Sequence, residues 1–262
     1  MMNLVFSFIF GTFIGSFFNV CIFRLPAHQS VITPSSHCPS CKHPIAFYDN
    51  IPLISFIILR GKCRKCKIPI SYQYPLVELL SGFLSLIFVI KFGFLSLNYF
   101  TYFVFSATLL AITAIDIKHQ IIPDSITLPG IVVGLVVSFF IPHLTFLDSL
   151  IGTVVGGGSL LLVAGGYYLF TKQEGMGLGD VKLLAMIGSF LGWKSILFVI
   201  MVASFSGALV GITVILLQKK DRKYAIPFGP FLSLGALSYL LYGGEIIRWY
   251  VQLTLWIRNL LG

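Results

Sequence analysis

Apolar runs about as long as a bilayer is thick constrain the fold of this chain more than any other feature of it. They fall at 4–23, 75–92, 98–115, 127–142, 150–170, 181–193, 195–217 and 228–243, with an ambiguous further segment at 245–261. Hydrocarbon offers no partner to a backbone amide or carbonyl, and a helix satisfies these groups within its own segment. Hydrophobic residues make up 57% of the 262 and charged residues only 10%, against about a quarter charged in a soluble domain. Too few charges remain to cover a water-facing surface. The expected fold is all-α: a polytopic helical membrane protein with about eight transmembrane helices in a lipid bilayer. Segment 181–193 is short and breaks at Gly192 and Lys194, as helices do at membrane depth where they face other protein or a cavity. Segment 245–261, with Glu245, Arg248, Trp249, Trp256 and Arg258, is alternatively a helix lying along the outer interface. The first run lacks a basic leader and continues into Arg24-Leu25-Pro26 rather than a cleavage site, so it reads as a retained span.

The formal net charge of +9 is explained by topology. Arg24, Lys42, Arg60, Lys62, Arg64, Lys65 and Lys67 lie in the first loop. Lys118, Lys172, Lys182, Lys219, Lys220, Arg222 and Lys223 lie in later loops on the same face. Lys91, Lys194, Arg248 and Arg258 lie on the other. Basic loops stay in the cytoplasm, so the first loop is expected there, and no nucleic-acid partner is expected.

The organisation expected is a first transmembrane helix at 1–23, a cytosolic four-cysteine module at 24–74, and a multi-helix membrane domain at 75–262. Residues 24–74 contain Pro26, Pro34, Pro39, Pro44, Pro52 and Pro69, which exclude a long helix. So small a polar stretch is better held by a metal than by a core. Cys38-Pro-Ser-Cys41 and Cys63-Arg-Lys-Cys66 form two turns that can aim four thiolates at one Zn2+ in a closed, structural site. The alternative is two redox-active or simply reduced pairs. His37 and His43 adjoin the cysteines and read as exposed neighbours. Cys21 lies in an apolar run and reads as packed. No internal repeat stands out, and Gly156-Gly157-Gly158 with Gly165-Gly166 suit close helix approach.

Acidic residues are few. Asp116 ends the third run and Asp180 begins the sixth, following Gly177-Leu178-Gly179. Ionisable groups at membrane depth are costly and mark function. Two carboxylates on one face can divide the work of peptide hydrolysis, one activating water while the other supplies a proton. The glycines would permit unusual backbone angles and the approach of an extended substrate. Because a helix start favours negative charge and a helix end opposes it, Asp180 is expected to be the ionised base and Asp116 the acid. Asp124 is the rival to Asp116, but it suits a cap for the next helix. Glu78, at the start of the second run, either binds a substrate amine or pairs with a nearby basic residue. Asp49, Asp148 and Asp221 read as solvated loop residues.

These residues form a pattern. Gly15-Ser-Phe-Phe-Asn19, Arg24-Leu-Pro26, Cys38-Pro-Ser-Cys41, Asn50-Ile-Pro52, Arg60-Gly61-Lys62-Cys63, Tyr74-Pro-Leu-Val-Glu78, Ile115-Asp116, Ile122-Pro123-Asp124 and Gly177-Leu-Gly179-Asp180 together resemble the bacterial type IV prepilin peptidases. These are bifunctional leader peptidase/N-methyltransferases of the G-x-G-D aspartyl protease type. The resemblance implies an eight-span protein of the bacterial inner membrane. Its substrates would be prepilins or pseudopilins, cut after a glycine at the cytosolic face. S-adenosylmethionine would then methylate the exposed amino group. It also implies catalytic roles for Asp116 and Asp180, and a link between methyl transfer and Gly61 and Lys62 in the cysteine module.

Overall fold

A computed structural model describes residues 2–173, 176–218 and 226–261. Among these residues the regular elements are all helical, nine α-helices and two short 3-10 turns. It divides into two compact units, Met1–Ser125 and Ile126–Gly262. Eight of the helices have 14 residues or more. Five are long and apolar enough to cross a membrane.

The first unit contains α1 (Met2–Arg24), the short α2 (Ile54–Ile58), α3 (Gln73–Phe92) and α4 (Leu97–His119). Helices α1, α3 and α4 pack together, and a buried hydroxyl network joins them. The Ser85 hydroxyl donates to the Ser7 carbonyl at 2.7 Å, and its oxygen lies 2.7 Å from both the Ser7 and Tyr99 hydroxyls. A hydroxyl has one donor and two acceptor sites, so Ser85 is fully used at the crossing of three helices. The α1–α3 approach depends on small residues: a Cβ on Gly15 would lie 2.8 Å from the Glu78 Cα. Ser96 caps α4 by accepting the Tyr99 N–H at 3.1 Å. At the other end the chain leaves α4 through Gln120, in the left-handed region with φ 53°.

The second unit holds α6 (Phe146–Thr171), α7 (Leu178–Leu191), α8 (Lys194–Gln218), α9 (Gly229–Leu261) and nearly all of α5 (Asp124–Val137). Helix α7 is its centre. Every residue from Leu183 to Phe190 is buried, as expected of a short helix enclosed by protein. Gly152 and Gly188 meet backbone to backbone, and a Cβ on Gly156 would lie 2.5 Å from the Leu184 carbonyl oxygen. The expected role of the glycine cluster in close approach therefore holds for Gly156. It does not hold for Gly158, Gly165 or Gly166, where an added Cβ would meet nothing within 4 Å.

Helix α4 runs on to His119 rather than 115 and α6 starts at Phe146 rather than 150, and two further boundaries differ for clear reasons. Helix α5 stops at Val137 rather than 142: Pro142 disfavours helix in the residue before it, and the Ser138 hydroxyl donates back to the Leu135 carbonyl at 2.7 Å. No break separates 228–243 from 245–261, because α9 runs unbroken from Gly229 to Leu261. A glycine pair costs a helix about 1 kcal/mol per residue, less than unpaired backbone groups would cost in an apolar medium.

Replacing Ser85 with alanine removes the acceptor for two buried hydroxyls. It should destabilise the protein by about 1–3 kcal/mol, read as a lower midpoint in denaturant titrations of the lipid-reconstituted protein.

Candidate functional site

The segment between α1 and α3 is tied back to the end of α1. Arg24, the last residue of α1, is buried, and its guanidinium donates to the carbonyls of Ser30 at 3.0 Å and Pro34 at 2.7 Å. The chain then makes two similar turns. In the first, the Cys38 N–H donates to the His43 carbonyl and the Lys42 N–H to the Cys38 carbonyl. In the second, the Cys63 N–H donates to the Ile68 carbonyl and the Lys67 N–H to the Cys63 carbonyl. Lys42 and Lys67 both take left-handed backbone angles, φ 57° and 61°. Each turn is closed by one bridge, His37 with Pro44 and Lys62 with Pro69. The two turns are copies of one device, a local repeat too short to stand out in the sequence.

The turns bring Cys38, Cys41, Cys63 and Cys66 together, with all four sulfurs within 4.8 Å of one another. Cys38 and Cys66 Sγ lie 3.7 Å apart, close to the edge of about 3.8 Å expected for a tetrahedron with metal–sulfur bonds near 2.3 Å. All five cysteines are free thiols, and the four in the loop form a set that could hold a metal ion. The Cys41 N–H holds the Cys38 thiol down to about 6. The Cys66 N–H likewise lowers Cys63. The Ile68 N–H favours the Cys66 thiolate, but burial and the other three sulfurs outweigh it and push Cys66 up to about 11. A metal cation completes a set of thiols like this one by displacing the protons that remain on it. His37 stands outside this group, its ring against the Ser35 carbonyl at 3.0 Å, and Cys21 is buried in α1.

Asp49 is not a solvated loop acid. It accepts two hydrogen bonds from the Arg64 guanidinium, at 2.6 and 2.7 Å, and so ties the first half of the module to the second turn. That bidentate partner lowers the Asp49 carboxyl below the ordinary range. Asp148 is likewise engaged: it opens α6, accepts the Thr145 hydroxyl at 2.7 Å and the Trp193 indole N–H at 3.0 Å. Asp221 lies outside the described residues.

Gly61 and Lys62 lead into the second cysteine turn. Gly61 has φ 66°, and a Cβ there would stand 3.1 Å from the Phe56 ring; the turn requires glycine on both counts. Lys62 is exposed beside it. Glu78 is buried in α3, and its carboxylate accepts the Leu53 N–H at 2.8 Å. That partner is a backbone amide at a residue with positive φ, 59°, a contact the sequence did not suggest.

Asp116 is 4% exposed in the last turn of α4, and its carbonyl accepts the capping Gln120 N–H at 2.8 Å. Asp124 is exposed and is the first residue of α5, where the helix dipole favours a carboxylate. In the second unit Asp180 is half-buried in the first turn of α7, its N–H donating to the Gly177 carbonyl at 3.2 Å. The glycines before it do not use their conformational freedom. Gly177 has φ −72°, open to any residue, and Gly179 is already helical. What Gly177 leaves is room: a Cβ there would sit 3.7 Å from the Asp180 Oδ2.

Sequence reasoning missed Arg24, counted only as a loop charge, and Asn19, whose side chain is buried and donates to the Tyr74 carbonyl at 3.0 Å. A lone amide in an apolar run is the signal that could have found Asn19.

Cys38→Ser and Cys63→Ser should each lower the metal bound per purified chain from about one to a small fraction, measured by elemental analysis. Asp49 should titrate below a usual aspartate, and Arg64→Ala should return it to the ordinary range in a carbon-13 NMR titration. The tie between Asp49 and Arg64 is complete at neutral pH and is lost as pH falls through the depressed value.

Two family patterns match the chain: the bacterial peptidase A24 N-terminal domain over residues 9–92, which holds all four loop cysteines, and the type IV leader peptidase family over 103–212, which holds both aspartates. A prepilin leader peptidase/N-methyltransferase from Stutzerimonas stutzeri is 39% identical over 93% of this chain and 92% of its own length. Proteins of the same description from Aeromonas hydrophila and Pseudomonas aeruginosa are each 37% identical; the first alignment covers 93% of this chain and 92% of the relative, the second 92% and 91%. No solved structure was found to match.

Proposed function

The chain belongs to the type IV leader peptidase family, and we propose that it removes the leader peptide of prepilins or pseudopilins and then methylates the new N-terminal residue. The observation that carries this reading is the identity with prepilin leader peptidase/N-methyltransferases over more than nine-tenths of the chain. Cleavage follows a glycine at the cytosolic face of the bacterial inner membrane. The excess of basic residues in loops on the face of the 24–74 module supports that orientation.

Hydrolysis is assigned to Asp116 and Asp180, in the membrane domain of residues 75–262. Support comes from the burial of Asp116 at a helix end and the place of Asp180 in the first turn of α7. Such opposite helix positions favour an acid at Asp116 and a base at Asp180. The base takes a proton from water as it attacks the scissile carbonyl. The acid protonates the carbonyl oxygen and, as the intermediate collapses, a proton passes to the leaving amine. Gly177 and Gly179 leave space for the substrate backbone beside Asp180. Asp124 and Glu78 are further candidates, for substrate binding. Glu78 has its carboxylate engaged by Leu53, which favours a positioning role for it.

Methyl transfer is assigned to the 24–74 module. Its four-sulfur set and spacing suit Zn2+, held by Cys38, Cys41, Cys63 and Cys66 as a structural ion. S-adenosylmethionine is the methyl donor. Lys62, exposed next to the Gly61 turn, suits the carboxylate of that donor, and Gly61 keeps the turn shape that presents it.

Asp116→Asn and Asp180→Asn, made separately, should each cut prepilin processing in purified membranes by about a hundredfold or more. Normal processing by either variant would remove that residue from the reaction. Lys62→Ala should leave cleavage near normal and reduce methylation of the product, read by mass spectrometry.

A further inference from the structure

Helix α2 exposes Ile54, Ile57 and Ile58, at 53, 73 and 67% of their surface. Positions i, i+3 and i+4 share one helix face, so the three side chains form a single apolar patch. The rest of the helix is engaged. Ser55 is buried, its hydroxyl donating to the Tyr48 carbonyl at 3.0 Å, and the Phe56 ring meets that of Tyr72 at 5.7 Å. An isoleucine face of this kind next to water calls for an occupant.

Two contacts fix its level along α3. The Leu53 N–H, just before α2, donates to the Glu78 carboxylate at 2.8 Å. Glu78 lies five residues into α3, or about 7 Å along its axis, and inside the apolar run that begins at Leu76. Tyr72, at the mouth of the same span, is 80% exposed, the residue type that gathers at headgroup level. Helix α2 therefore starts level with the first turns of a membrane-spanning helix. It is followed at once by exposed Arg60, with Lys65 and Lys67 close behind, a charge complement to anionic headgroups.

We propose that α2 is an interfacial helix whose Ile54–Ile57–Ile58 face lies in the headgroup–acyl boundary of the membrane surface where α1 ends and α3 begins, with the basic residues after it on anionic lipid headgroups. The cysteine module is then held on the bilayer rather than suspended above it. This inference does not depend on the reaction the chain performs.

Its test uses the full chain, one copy per lipid nanodisc containing phosphatidylglycerol, with no substrate present. Trp193, Trp249 and Trp256 are replaced by phenylalanine, and Ile57→Trp provides the single indole. Emission should be quenched about twofold more by lipids brominated near the headgroup than by lipids brominated at the chain end, as expected of a shallow interfacial helix. Quenching by aqueous iodide with none by brominated lipid overturns the proposal. So does emission that changes only on adding a prepilin peptide, which assigns the face to substrate, or only with two copies per disc, which assigns it to a second chain. A blue-shifted indole that no lipid or aqueous quencher reaches assigns the face to this chain's own packing and also overturns it. Hydrogen exchange of the unsubstituted protein guards against damage by the substitutions: amides of 54–60 should exchange at least about threefold more slowly in phosphatidylglycerol discs than in phosphatidylcholine discs, and equal rates overturn the headgroup contact.

Discussion

A bilayer offers no hydrogen-bond partner, and that single constraint governs most of this protein. Long apolar segments become helices, and some of the polar side chains on them find partners on neighbouring helices. Ser7, Ser85 and Tyr99 share one network, Asn19 reaches the Tyr74 carbonyl, and the Ser149 hydroxyl donates to the Ser189 carbonyl. With lipid as apolar as the helix surfaces, association within each unit relies on close packing and such bonds. That is why Gly15 in the first unit, and Gly152 and Gly188 in the second, sit where backbones touch.

The cysteine module obeys a different rule. Some fifty residues rich in proline cannot bury a core large enough to hold themselves. Their order comes from the four-sulfur cluster and from ties to the helices on either side. Arg24 gathers the loop carbonyls at one end, and Glu78 holds Leu53 at the other. Asp49 and Arg64 link the segment between the turns to the second turn. The module is shaped by polar contacts to membrane helices, so substitutions in those helices act on the module as well.

The two aspartates proposed for hydrolysis lie near helix ends. Asp116 is buried where a helix finishes and Asp180 sits where one starts. Opposite helix ends carry opposite dipole fields, and the proposed division into an acid and a base rests on that. The glycines before Asp180 contribute space rather than unusual backbone angles.

Hydrophobic run length, cysteine spacing and the scarcity of acids were legible residue by residue. They led to the helical class, the four-sulfur set and the choice of acids to consider. Each depends on local composition or on spacing within a single turn. Partners distant in the chain were not legible. Asp49 reads as a free loop acid until Arg64 is brought to it, and neither the Leu53 amide on Glu78 nor the Thr145 and Trp193 donors on Asp148 can be read from the sequence. The glycine cluster shows the same limit, since Gly156 faces a backbone and Gly158 faces nothing. The sequence by itself determined that this is a helical membrane protein with a four-cysteine loop, because hydropathy and ligand spacing are properties of short stretches. Only the tertiary structure decided which polar groups are spent on holding the fold, because a hydrogen bond depends on where its partner lies in space.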